Sequence, residues 1–266
     1  MLLLLHIGFI PPRIIEKKTP NDFGMDYQEL DVNGKKHKNL FAWFIATQES
    51  SPLIIIMHGW GSNSELMLPI ANTFYQAGLN VLLLDSRCHG KSAGDTYSAL
   101  PRFAEDIDAV IEYAQQHLAY NDKIILLGHS VGAGAVLYSA SKRRDISAVI
   151  SISAFGSPQW LMTRYFQGFH LPQWLINILL SYIQWIIGHR FSEIAPVNTI
   201  KKLTIPILLV HGTHDNTVPI DDAYAIQENN TYGKLLIIDE ADHDSVEKIE
   251  THGELLVDFL KDENVL

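Results

Sequence analysis

A serine, an aspartate and a histidine stand where each could serve one reaction. Ser130 lies in Gly128-His129-Ser130-Val131-Gly132, a G-x-S-x-G pattern. An apolar run at 124–127 precedes it and a small-residue run at 133–140 follows, so the serine is expected at a sharp strand-to-helix turn. Side chains two positions to either side of such a turn would collide, which accounts for glycine at both. The strained turn lifts the hydroxyl clear of the sheet and aims the first helical amides at the reaction centre. A serine hydroxyl is a weak nucleophile at neutral pH. It needs a base to take its proton and a third group to orient that base. Asp215, in His211-Gly212-Thr213-His214-Asp215-Asn216-Thr217-Val218-Pro219, follows the apolar run 207–210. His243 follows the run 234–238. In a doubly wound sheet functional groups gather at the carboxyl ends of strands, and the gap from Asp215 to His243 holds one helix and one strand. The expected triad is Ser130, Asp215 and His243.

Rival assignments exist for two members. His211 and His214 are alternative bases; His211 is expected to pack and His214 to be exposed. Asp85 is the alternative acid, expected instead to tie its own loop through Arg87 or backbone amides. The tetrahedral intermediate of acyl transfer needs donors for its oxyanion. The expected pair is the backbone N–H of Val131 and that of Trp60, in the loop His58-Gly59-Trp60-Gly61. His58 is read as a packed loop residue. Trp60, Phe155 and Trp160 are candidate substrate contacts. Neither a metal nor a cofactor is expected: H-E-x-x-H, paired cysteines and Gly-rich phosphate loops are missing. Gly132-Ala133-Gly134 reads as a close-packing stretch of the elbow helix.

The elements that must position these groups alternate. Segments 25–32 and 40–47, with Asn33-Gly34 between them, read as a β-hairpin. Buried strands are expected at 53–57, 81–84, 124–127, 148–152, 207–210 and 234–238. Helices are expected from Ser64 as N-cap to Gln76, over 101–118, from 133 onward, over 221–228 and over 246–260. This gives an α/β fold with a mostly parallel eight-stranded sheet and helices on both faces. Residues 155–200 interrupt the alternation and read as a helical lid inserted in a core formed by 1–154 and 201–266. One lid helix, from Pro172 to Gly188, is apolar around most of its circumference, so something is expected to cover it.

The composition narrows the function classes. The chain has 266 residues, 47% apolar and 19% charged, with net charge −10. That acidity disfavours nucleic acid as a partner, and the single cysteine, Cys88, rules out an internal disulfide. The apolar start, Leu2 to Leu5, lacks the flanks of a signal peptide and is too short to span a bilayer. It reads as an arm packed on the domain, with weak membrane contact as the alternative. The expected location is cytoplasmic, with peripheral membrane contact through the lid or the arm as an option.

Together these motifs resemble the α/β-hydrolase superfamily, in its esterase, monoglyceride-lipase-like and serine aminopeptidase S33 branch. The chain order Ser, Asp, His is that of these enzymes. Matching pieces are the His58–Gly61 loop, the stretch from Asp85 to Ser92 (similar to a D-x-R-G-H-G-x-S box), the elbow, the Asp215 loop and His243. Thr19-Pro20-Asn21-Asp22-Phe23-Gly24 is similar to the lead-in of Bem46-like members. The box departs from the pattern at Cys88, where glycine is usual. The resemblance implies the α/β-hydrolase fold and acyl transfer from an ester to water, with a small-molecule ester as substrate. Thioesterases, peptidases and amidases would use the same triad; an aminopeptidase would also need an acidic pocket, for which Glu193 is the lid's candidate. A ligand-binding protein on the same fold is the non-catalytic alternative.

Overall fold

The computed structural model describes residues 8–244 and 246–266. Eight strands form one sheet: β1 Gln28–Asn33, β2 Asn39–Ile45, β3 Leu53–Met57, β4 Asn80–Leu84, β5 Ile124–His129, β6 Ala148–Ile152, β7 Ile207–Gly212 and β8 Gly233–Ile238, in the order β1-β2-β4-β3-β5-β6-β7-β8. The pairs β1–β2 and β2–β4 are antiparallel and the others parallel. Period-two alternation splits β3 between two cores. Leu53, Ile55 and Met57 enter one, and Ile54 and Ile56 the other. The central strands are therefore apolar at every position, as a sheet covered on both faces requires.

Ten helices follow the chain among the described residues: α1 Leu68–Gln76, α2 Leu100–His117, α3 Val131–Ala140, α4 Pro158–Gly168, α5 Gln173–Ile187, α6 Phe191–Ile194, α7 Pro196–Thr199, α8 Ile220–Gln227, α9 Val246–Glu250 and α10 Gly253–Asp262. Core residues of α2 and α3 lie on one face of the sheet, and those of α1 and α10 on the other. From β4 the chain steps over β3 to β5. The segments leaving β3 and β5 thus diverge to opposite faces, which opens a crevice at their carboxyl ends, the switch point of such sheets.

Several local expectations shift. The hairpin pairs Asn33 with Asn39, so its loop is longer than the Asn33-Gly34 turn and holds a 3-10 turn at Lys35–His37. Asn63, not Ser64, caps the next helical segment, its side chain accepting from the Glu65 amide. Pro172 is the N-cap of α5 rather than its first residue. The last helix is broken in two. Gly253 sits against Thr73 of α1, where a Cβ would lie 2.7 Å from the Thr73 hydroxyl. Helix α5 is not covered all round: Trp174, Ile178 and Trp185 face solvent.

An arm precedes the sheet; the expectation for Leu2–Leu5 lies outside the described residues. From Phe9 to Lys17 the arm crosses the loops at the switch point. The Phe9 carbonyl accepts from the Ser98 amide (2.8 Å), Arg13 Nη1 donates to the Ser92 carbonyl (2.8 Å), and Asn63 Nδ2 donates to the Ile14 carbonyl (3.0 Å). The Glu16 carboxyl lies against the buried Asp85 carboxylate beside Gly90. Two carboxylates in contact require a shared proton, and burial first, then Asp85, pushes Glu16 up to about 8. The attached arm therefore binds a proton that a free arm, with an ordinary glutamate near 4.5, releases. Its attachment is strongest at low pH and weakens as pH rises from about 4.5 through about 8. Limited proteolysis or amide exchange of residues 9–17 across that window should show rising exposure in the native chain. Glu16→Gln, which donates without titrating, should flatten the profile.

Candidate active site

Ser130 occupies the turn between β5 and α3 with φ 54° and ψ −115°, a region that side-chain-bearing residues avoid. The surroundings hold it there. Its amide donates to the Ile152 carbonyl at 2.9 Å, and its carbonyl accepts from the Gly134 amide at 3.2 Å. A Cβ on Gly132 would stand 2.7 Å from the Met57 carbonyl oxygen, and one on Gly128 2.7 Å from the Ala133 nitrogen. Both obstacles are backbone, so neither glycine can be enlarged without moving the turn. Gly134 is similarly close to Leu100 of α2.

Asp215 and His243 arrive on two loops tied to each other. The Thr213 amide donates to the Ile238 carbonyl (3.0 Å) and the His214 amide to the Ala241 carbonyl (2.9 Å). Ser130, His243 and Asp215 meet in one chain of hydrogen bonds. The Ser130 hydroxyl donates to His243 Nε2 at 2.9 Å, and His243 Nδ1–H donates to Asp215 Oδ2 at 2.7 Å. The other Asp215 oxygen accepts from the amides of Thr217 (3.0 Å) and Val218 (2.7 Å). Burial alone would raise the Asp215 pKa. The His243 bond and the Val218 amide outweigh it, and the carboxyl is held below its ordinary value. Asp215 is therefore anionic at neutral pH and fixes the imidazole tautomer with its free nitrogen toward the serine.

The rival residues are engaged elsewhere. His211 is buried, with Nε2 donating to the Val218 carbonyl at 2.8 Å and lying 3.5 Å from Asp215 Oδ2. His214 is exposed. Asp85 accepts from the Ser64 amide (2.8 Å) and hydroxyl (2.7 Å) and from the Lys91 amide (3.0 Å). Arg87 does not reach it; its Nε donates to Asp106 at 2.8 Å, and that pair is fully buried. His58 packs as expected: Nδ1–H donates to the Gly59 carbonyl (2.6 Å) and Nε2 accepts from the Ser86 amide (3.1 Å). Burial lowers its pKa, and drives His89 down to about 3.

The loop carrying Trp60 lies beside the serine. A Cβ on Gly59 would stand 3.3 Å from Ser130 Cβ and 3.0 Å from His129 Nδ1. His89 Nε2 accepts the Gly61 amide at 3.1 Å, and the Trp60 ring meets the His89 ring edge-on at 5.9 Å. Neither the Trp60 nor the Val131 amide donates to a protein acceptor among the described residues. Of the other candidate contacts, Phe155 is buried in the core with Phe166 and Ile176. Trp160 is half-exposed and lies across Gly156.

Two groups were not anticipated. His129 is fully buried and its Nε2–H donates to the His243 carbonyl at 2.7 Å, pinning the loop that presents the imidazole. Burial, then the neighbouring His243, lowers its pKa to about 4, so it stays neutral. Its place beside Ser130 was the available signal. Arg164 of α4 forks onto Asp222 of α8 (3.0 and 2.8 Å), and Asp222 also accepts the Gly156 amide at 2.8 Å. Only the fold brings those residues together.

Sheet order and helix placement are those of an α/β-hydrolase. The family model described as "Serine aminopeptidase, S33" matches residues 48–201; the chain belongs to that family. Asp215 and His243 lie beyond the matched span. The Bacillus subtilis protein YqkD is 27% identical over 85% of this chain and 78% of its own length. Protein bem46 of Schizosaccharomyces pombe is 28% identical over 76% of this chain and 64% of its own length. Among solved structures, the esterase Pf2001 of Pyrococcus furiosus superposes with a TM-score of 0.76 at 24% identity, covering 95% of this chain and 97% of that one.

Strain at Ser130 is measurable. Ser130→Ala and Ser130→Gly both remove the bond to His243, but only glycine accepts φ 54° freely. The glycine variant should be the more stable of the two by about 1 kcal/mol in urea denaturation; an alanine variant more stable than the glycine one by about 0.4–1 kcal/mol, the ordinary chain-entropy margin, would show that the turn stores no strain.

Proposed function

We propose that this hydrolase cleaves carboxylic esters with apolar acyl or aryl groups through an acyl-enzyme on Ser130. The continuous hydrogen-bond relay from the Ser130 hydroxyl through His243 to Asp215 carries the reading. Ser130 Oγ attacks the ester carbonyl while its proton passes to His243 Nε2. The imidazolium forms against an Asp215 that is already anionic. The Val131 and Trp60 amides face the developing oxyanion. As the tetrahedral intermediate collapses, His243 returns the proton to the departing alkoxide. Water then gives a proton to His243, attacks the acyl-enzyme, and releases the acid and free Ser130. His129 positions the base through its carbonyl.

The helical segment 155–200 acts in this reading as a lid. It is fastened at one side by Arg164 on Asp222 and at another by the Tyr97 hydroxyl, which donates to the Ile186 carbonyl at 3.0 Å. Trp60 and Trp160 supply apolar walls. Peptidase or amidase chemistry is the second reading, favoured by the family's description. Glu193, the lid carboxylate considered for amine recognition, is exposed and lines a groove that contains no member of the relay. Binding of a free amino terminus thus has no support from Glu193, which favours esters.

A panel of p-nitrophenyl esters, acyl-CoA thioesters and aminoacyl anilides ranks the readings. Esters with apolar acyl or aryl groups should be turned over fastest, and a fluorophosphonate probe should label Ser130. Ser130→Ala should lose about 10³-fold or more in kcat and escape labelling, and Asp215→Asn should lose a comparable factor by releasing the tautomer. Turnover of anilides alone would replace the ester reading; an unlabelled, inert native protein would end both.

A further inference from the structure

Helix α5 carries apolar side chains on opposite faces. Ile176, Leu179, Leu180, Ile183 and Ile187 are buried. Trp174, Ile178 and Trp185 recur at i, i+4 and i+11, one stripe of a helix, and are 63%, 53% and 75% exposed. Tyr182 stacks on Trp185 with centroids 5.7 Å apart. On the preceding helix Tyr165, and at its C-cap Phe169, are 59% and 61% exposed with their rings 5.2 Å apart. The water-facing side of a helix ordinarily carries charge, yet α5 has none along its length.

The charge pattern identifies what the stripe meets. No aspartate or glutamate occurs between Asp145 and Glu193, in a chain that holds 30 acidic residues and a net charge of −10. The lysines and arginines of that span are Arg164 and Arg190. Arg164 is tied to Asp222, whereas Arg190 is exposed and forms no ion pair among the described residues. Arg190 stands where the stripe ends, on a groove of about 560 Å³ lined also by Trp185, His189 and Glu193, whose carboxylate is engaged by the Arg190 amide at 3.1 Å. A protein partner would not require carboxylates to be kept off so long a stretch; a layer of phosphates repels every one brought near it. Tryptophan and tyrosine favour the headgroup boundary of a bilayer, and a guanidinium pairs with phosphate.

We propose that the outer face of α4 and α5 docks on a phospholipid membrane surface, with Trp174, Ile178 and Trp185 at the acyl boundary and Arg190 among the headgroup phosphates. Docking is peripheral: no helix among the described residues is long and apolar enough to cross a membrane. The proposal does not depend on what Ser130 does.

Sedimentation with sucrose-loaded vesicles tests it, at physiological salt where the field of the acidic body is screened beyond about 8 Å. The native chain should pellet with phosphatidylcholine vesicles, and more strongly when phosphatidylglycerol is added. The double variant Trp174→Ser, Trp185→Ser should bind about tenfold more weakly or less, with unchanged circular dichroism and unchanged turnover of a water-soluble ester. Arg190→Gln should keep the binding to phosphatidylcholine and lose the gain from phosphatidylglycerol. The proposal is overturned if the native chain ignores both vesicles or if the double variant pellets as well as the native chain. It is also overturned if the chain is a dimer that the double variant dissolves while vesicles stay unbound, which would make a second copy the occupant.

Discussion

The closeness of the turn at Ser130 to the end of β3 is the constraint on which the rest of the site depends. Backbone touches backbone there: Gly132 leaves no room for a side chain against the Met57 carbonyl, and Gly59 faces Ser130 at van der Waals distance. That contact fixes the serine in its unfavourable backbone conformation and places the Trp60 loop beside it in the same stroke. The cost of a positive φ, about 1–3 kcal/mol at such positions, is carried by a sheet whose central strands are buried on both faces. The neighbouring His129 extends the constraint by gripping the His243 carbonyl. The Ser130 turn, the His243 loop and the Trp60 loop are thereby referred to one short piece of chain.

Much of this was legible in the residues themselves. Glycines framing Ser130, with an apolar run before and small residues after, specify a strand, a tight turn and a helix by sterics alone. Asp215 and His243 were found because strand ends in a doubly wound sheet share one rim. The eight strands were legible because parallel strands covered on both faces are uninterrupted apolar runs. Less visible was anything whose partner is distant in the chain. Arg87 was expected at Asp85 two residues away, yet it pairs with Asp106 inside α2. Glu16 gave no sign that it would share a proton with Asp85 across the fold. The break at Gly253 reflects close approach to Thr73, which helical periodicity does not encode.

The apolar circumference of α5 shows where a sound inference needs a fold to complete it. A helix with so narrow a polar side must be covered, and the chain covers one half. Whether the other half meets water or a partner is not a property of the helix but of what surrounds it in the folded chain. The two faces differ in kind: the inward one is wholly branched aliphatic, where shape must interlock, and the outward one sets Ile178 between two indole rings, whose apolar body with a polar edge suits a boundary between media.

The fork of Arg164 on Asp222 joins two parts of the molecule that would otherwise be separate. Asp222 stands in the first turn of α8, directly after the loop that holds Asp215 and its amide donors. The same carboxylate grips the amide of Gly156, where the chain leaves β6 for α4. The anchor of α4 and the helix that follows the Asp215 loop therefore share one side chain. In such a linkage, the aromatic surface and the Asp215 loop are joined through one ion pair, without any side chain of the surface entering the pocket.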